Sequence, residues 1–297
     1  MKFKDFPEAV INENVDYTVR EITNVIKRYG PRESGNKNCF ATQKHIKKEM
    51  DTFCDETGFE TYKVAPKAFL QWTKFVAAAI FLSVVVCLVL VYTNVFGGVV
   101  AVGLFITVME FLLYKQFVDV FYKKTEGHNF YAKRAPKGEV KRRIIISGHC
   151  DAAYEWRHIY YTKKLHMPHL MGILMGWTIG GAVISVIVAV ITIIANFVNM
   201  GAFGDFMLNY SYYFHCLTAL GMVPLFLFVD FKTLSPGAND NLTGTYAAVC
   251  AMRMLDMAGV ELENTELVAM ITDGEEAGLR GCKQWAEDHY DEYVNGG

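Results

Sequence analysis

Charged residues are scarce in this 297-residue chain: they make up 20% of it, while 52% is hydrophobic and the mean hydropathy is +0.18. An ordinary soluble domain carries about 25% charge, so part of the apolar material belongs outside a water-facing core. Cysteine is sparse and badly placed for pairing. The seven cysteines are odd in number, scattered, and never spaced as Cys-x-x-Cys. That excludes a disulfide framework and a cysteine-type zinc site, and it fits a reducing compartment. A net charge of −2 leaves no electrostatic footprint for nucleic acid. Residues 1–7 lack the apolar core of a signal peptide, so the first stretch is expected to stay on the side of synthesis. No internal repeat and no low-complexity segment is found.

The longest absence is local. No charged residue stands in 75–109, and about 20 apolar residues suffice to cross a bilayer. Interrupted at Asn94 and Gly97-Gly98, this run predicts a hairpin of two spans. Residues 171–198 predict a third span, and 212–229 a shorter fourth that contains His215 and Pro224 and follows a loop with Asp205. Buried core helices are the alternative, but those are usually shorter and amphipathic, whereas these runs are apolar all round. Lys67, Lys74, Lys115, Lys123, Lys124, Lys163, Lys164 and Lys232 flank the expected spans on the side of the polar segments. The turns near 94–98 and 199–210 have no Lys or Arg. The positive-inside rule then places the polar segments in the cytoplasm, in an integral, multi-pass membrane protein.

The polar stretches alternate between helix and strand. Val15, Val19, Ile22, Val25, Ile26 and Tyr29 recur at helical spacing before Gly30-Pro31. A second helix is expected over 40–57, with Ile46, Met50 and Phe53 inward and Gly58 as its stop. Strands are expected at 59–64, 143–147 and 267–271, with helices at 242–257 and around Cys282 and Trp285. Strands alternating with helices predict an α/β domain with a mostly parallel sheet, interrupted by two transmembrane helical hairpins. In such sheets, sites form at the carboxyl ends of strands.

Three short segments carry the chemistry. Ser147-Gly-His-Cys-Asp151 ends an apolar run, and its His149 and Asp151, two residues apart, project to one side of an extended chain. Either can hold a metal while the other orients it. Ser235-Pro-Gly-Ala-Asn-Asp240-Asn-Leu-Thr-Gly244 offers a carboxylate in a glycine-bearing turn. Thr272-Asp-Gly-Glu-Glu-Ala-Gly-Leu-Arg-Gly281 offers the adjacent pair Glu275 and Glu276, whose side chains cannot point the same way. Each segment alone has a plainer reading: a chance His-x-Asp, an Asx-type helix cap, acids favoured at a helix start. Together they supply the imidazole and carboxylates of a hydrolytic zinc site.

These segments resemble the bacterial leucyl aminopeptidase and aminopeptidase Y family of co-catalytic zinc metallopeptidases (clan MH). The segment from Tyr29-Gly-Pro-Arg32 to Phe59-Glu60 is similar to the start of that family's domain. The resemblance implies a zinc-exopeptidase-like fold and two Zn2+ ions per complete site. It implies His149 on one zinc, Asp240 bridging both and Glu276 on the other, with Glu275 as general base and Asp151 as the partner of His149. Together with the expected spans, it divides the chain into peptidase-domain parts at 1–70, 122–168 and 232–297 and hairpins at 71–121 and 169–231. In the family a further aspartate and a late histidine complete the ligand set. Here only His289, Asp288 and Asp291 stand late, on a helix just after the motif, so the chain is expected to be cut before its last ligands and to be inactive alone. The implied function is a membrane-bound zinc-dependent exopeptidase, an aminopeptidase, with a peptide substrate, membrane lipid and no nucleic acid as partners. A non-catalytic membrane interaction protein that keeps the fold is the alternative. A transporter is disfavoured, since Glu110 and His215 are nearly the only ionisable groups in the spans.

Overall fold

The computed structural model describes residues 6–90 and 93–295. Residues 1–5, which carry most of the signal-peptide argument, lie outside the described residues, as do 91–92 and 296–297. In chain order the elements are α1 (Glu8–Tyr29), α2 (Lys37–Met50), β1 (Glu56–Val64), α3 (Ala68–Leu90), α4 (Thr93–Thr107), β2 (Thr125–Arg134), β3 (Arg142–His149) and β4 (Tyr154–Glu155). There follow α5 (Arg157–Lys164), α6 (Pro168–Phe197), α7 (Gly201–Leu220), β5 (Asp230–Leu234), α8 (Thr243–Met257), β6 (Thr265–Thr272) and α9 (Arg280–Asp288). The chain divides into two compact units, Met1–Pro66 with Tyr122–Ala153 and Leu234–Gly297, and Lys67–Phe121 with Tyr154–Thr233.

The first unit is built on a four-stranded sheet in the order β1-β2-β6-β3. Its core joins Val25, Ile46, Met50, Phe130, Leu242, Val249 and Ile271, all nearly or wholly buried. Helices α1, α2 and α8 supply the other side of that core, and α9 packs on β1 and β2. Burying a side chain such as Ile271 contributes roughly 1.5–3 kcal/mol. The sheet is mixed, which corrects the expected mostly parallel one: β1–β2 and β2–β6 are antiparallel and only β3–β6 is parallel. The cause is β2, a strand the hydrophobic pattern does not announce, which inserts between β1 and β6. It also shortens the second helix. α2 ends at Met50 rather than near residue 57, because the chain from Asp55 onward is drawn into pairing with β2, starting with Asp55 N–H on the Lys133 carbonyl at 2.9 Å.

In the second unit, three helical stretches among the described residues are long and apolar enough to cross a membrane: Ala68–Val89, Val95–Leu112 and Gly172–Phe197. The first expected turn is displaced. Asn94 and Gly97-Gly98 lie inside α4, where Gly97 allows α6 to come close: a Cβ there would meet that of Ala189 at 2.1 Å. Small residues at helix contacts serve this purpose in membrane proteins. Lys74, expected to flank a span, also lies inside α3. The fourth expected span, 212–229, is not one helix. α7 ends at Leu220, a turn follows at Gly221-Met222, and 3-10 structure begins at Val223. Pro224 has no N–H to continue an α-helix, so the helical register moves upstream to 201–220. Ser185 Oγ and Thr218 Oγ1, 2.8 Å apart, and Thr178 Oγ1 on the Gly221 carbonyl at 2.7 Å tie α6 to α7 and its end.

Candidate metal centre

His149 is the last residue of β3, and its register partner on the parallel neighbour β6 is Thr272. The carboxyl ends of the only parallel pair in this sheet thus present His149 beside the turn that carries Glu275 and Glu276. A site at the carboxyl edge of parallel strands is the arrangement expected of α/β sheets. Asp240 arrives from elsewhere, on the turn that precedes α8. Its backbone angles are not helical and its peptide bond to Asn241 is cis. The helix-cap reading of Asp240 does not hold, since the side chain that accepts near the start of α8 is Asn241, from Gly244 N–H at 2.9 Å. Neither are Glu275 and Glu276 helix-start acids: α9 begins only at Arg280.

One donor atom each from His149, Asp240 and Glu276 lies within 4.8 Å of the others. The imidazole is turned so that Nε2 faces Asp240 Oδ1 at 3.2 Å and Glu275 Oε2 at 3.5 Å. Nδ1 faces Asp151, at 3.2 Å from its carbonyl and 3.3 Å from Oδ1. Asp151 is fully buried and accepts three more hydrogen bonds. They come from Glu275 N–H at 3.3 Å, Glu276 N–H at 3.0 Å and Ser34 Oγ at 2.7 Å. One carboxylate therefore fixes both the ring and the backbone of the glutamate pair. This is how a residue next to a ligand sets the ligand's direction.

The electrostatics agree with a cation-accepting pocket. Burial opposes a charge on His149, yet the hydrogen bond and charge of Asp151, with Glu275 and Glu276, outweigh it and raise its pKa to about 9. Burial, then Asp151 and Glu275, push Glu276 up to about 8, and burial also raises Glu275. A group of carboxylates facing one another in this way favours a positive charge among them. One imidazole and two carboxylates, open at Asp240 (73% exposed), fit a divalent metal.

His289 takes no part in this group. Its ring is held by Glu60 Oε1 at 2.7 Å and Glu292 Oε2 at 3.0 Å, and it stacks on Trp285. Two further residues support the site and have little signal in the sequence. Ser34 sits in the loop after Gly30-Pro31, and Asp273 is fully buried, accepting Gly35 N–H at 3.0 and 3.1 Å. The Ser-Gly pair between two helical runs and an acid directly ahead of the glutamates were the only signals for them.

The profile of peptidase family M28 matches residues 226–295. The match includes Asp240, Glu275 and Glu276 and leaves His149 and Asp151 outside it. It supports a zinc-peptidase function, within the superfamily of co-catalytic zinc peptidases that the motifs resemble. No curated protein and no solved structure matches the chain.

Proposed function

We propose that this protein is a membrane-bound, zinc-dependent exopeptidase of the aminopeptidase type. The observation that carries the reading is the convergence of His149, Asp240 and Glu276, with Asp151 behind the far ring nitrogen. One imidazole nitrogen and two carboxylate oxygens suit zinc, and three protein ligands leave a fourth position open, as catalytic sites require. Zinc held there supplies Lewis acidity toward a water molecule and a peptide carbonyl. Glu275 takes a proton from the water at its carboxylate and passes it to the nitrogen of the leaving amine. Asp151 keeps the ring of His149 turned with Nε2 toward the open side. The family resemblance implies two zincs per complete site. The three converging side chains serve one, and a second needs donors beyond them.

Two supports bear on the membrane. The three apolar helices are long enough to span, and we take α7, which is 20 residues long, less apolar than those three and packed on α6, as the fourth. The chain has no Lys or Arg between Lys164 and Lys232, nor between Lys74 and Lys115, which favours cytoplasmic polar segments. The aminopeptidase preference rests on the motif resemblance.

Purified full chain in detergent, dialysed against metal-free buffer and then titrated with zinc, tests this. One tightly held zinc per chain is expected. The open fourth position departs from the expectation of a chain inactive alone: cleavage of aminoacyl amides with a free amino group should be lost on chelation and regained with zinc. Failure to hold zinc at micromolar concentration overturns the metal reading. Equal cleavage of N-acetylated substrates overturns the aminopeptidase reading. Zinc binding without turnover on any peptide would favour the non-catalytic interaction protein.

A further inference from the structure

The loop between α1 and α2 holds a buried arginine with an unusual set of partners. Arg32 is fully buried, and its guanidinium donates to four backbone carbonyls. Nε reaches Cys150 O at 2.7 Å, Nη1 reaches Gly30 O at 3.2 Å, and Nη2 reaches Pro236 O and Gly237 O, both at 3.1 Å. The arginine's own carbonyl accepts Ala152 N–H at 2.8 Å. A buried guanidinium is costly, and an apolar side chain would fill the space at lower cost. A fork of fixed donors is useful where two separate pieces of chain must be held at one spacing.

The two pieces are the ones that carry metal donors. Cys150 lies between His149 and Asp151, and Gly237 opens the turn that carries Asp240. Gly237 has φ +61°, and a Cβ there would stand 2.5 Å from Arg32 Nη2 and 2.7 Å from the Ala152 Cβ. The turn thus approaches the guanidinium as closely as a backbone can. From the same loop, Ser34 Oγ holds Asp151, and Gly35 N–H holds Asp273 on the third segment. Each of the three site segments is bonded to this single loop.

We propose that Arg32 is a positioning residue that sets the spacing between His149 and Asp240, so that both reach one metal ion. The inference rests on the zinc reading above. A lysine at position 32 keeps the charge, but its single ammonium cannot bond both segments in the same geometry.

The test uses the full chain in detergent with Zn2+, and with Co2+ as a spectroscopic probe. Arg32→Lys is expected to weaken zinc affinity at least tenfold, with a melting temperature of the metal-free protein close to wild type. The visible absorption of the Co2+ form should change in intensity, because the coordination geometry loosens. Arg32→Ala should regain affinity on adding millimolar guanidinium ion, which refills the fork. The guanidinium rescue of Arg32→Ala decides the question if Arg32→Lys folds poorly. Wild-type affinity and an unchanged Co2+ spectrum in the folded variants overturn the positioning role while the zinc reading stands. A wild-type chain that takes up no zinc overturns both.

Discussion

In the first unit Val268, Ala269 and Ile271 of β6 are fully buried, and the carboxyl of Asp273 just beyond them is buried too. In the second unit Val183, Ile184 and Ile187 of α6 are 45%, 46% and 51% exposed. Only 33%, 28% and 33% of the three long apolar stretches is buried within the structure. The two units thus put the same residue types to opposite uses. One hides apolar side chains and gathers polar ones at the carboxyl edge of its sheet, as a fold in water does. The other turns its apolar side chains outward and keeps hydroxyls such as Ser185 and Thr218 inside, as a fold in lipid does. An outward apolar surface of this extent marks a face that meets protein or membrane. The contrast is the one expected if the second unit meets lipid, as proposed above.

The sharpest way to test the polar half of the contrast is at the glutamate pair. Glu275→Gln is expected to lower turnover by about 10²–10⁴-fold, the usual worth of a general base, with zinc still bound. Glu276→Gln should instead weaken zinc retention. Metal analysis beside steady-state kinetics separates the two, and equal zinc loss in both variants would remove the division of roles.

The apolar half is tested by paired substitutions. Ile271→Ala should destabilise the first unit by about 2–5 kcal/mol, the cost of a cavity in a packed core, read as a lower denaturant midpoint. Ile187→Lys, on the outward side of α6, should cost roughly 2.5–3.5 kcal/mol of membrane insertion if that surface meets lipid. On a water-facing helix the same change is almost silent. Unaltered insertion of the lysine variant in a glycosylation-mapping assay would break the comparison.

What could be read from the sequence follows from range. The span-length runs and the three acidic or histidine segments are local patterns, visible without a partner. β2 was not visible, because one of its inward positions is Asn129. That residue is buried with its Nδ2 donating to the Gly281 carbonyl at 2.8 Å and its Oδ1 accepting Asp273 N–H at 3.4 Å, from parts of the chain 152 and 144 residues away. Missing β2 made the sheet look parallel and α2 look longer. Composition runs on smoothly through Gly221-Met222 and so points to 212–229, while Pro224 sets where helix can continue and α7 ends at Leu220. The Ser34–Asp151 bond spans 117 positions, and no local pattern encodes it.

The smallest effect concerns the acid that the first unit buries. Asp273 has its pKa raised, first by burial and then by the charge of Asp151, against the opposing hydrogen bond from Gly35 N–H. A carboxyl whose folded pKa lies above its unfolded value binds more protons in the folded state over that interval. Stability therefore falls as pH rises from the ordinary carboxylate range toward the raised value. The metal-free protein should melt at a lower temperature at pH 8 than at pH 5.5 in part because of this group. Asp273→Asn keeps an oxygen for Gly35 N–H and removes the ionisation, so its melting temperature should change less across the same interval. The first unit would then be storing an ionisable group in its interior at a cost that depends on pH. Thermal melts of both proteins at the two pH values, with chelator present, measure the difference. An Asp273→Asn variant as pH-sensitive as the wild type would mean that Asp273 is ionised throughout and that other groups account for the slope.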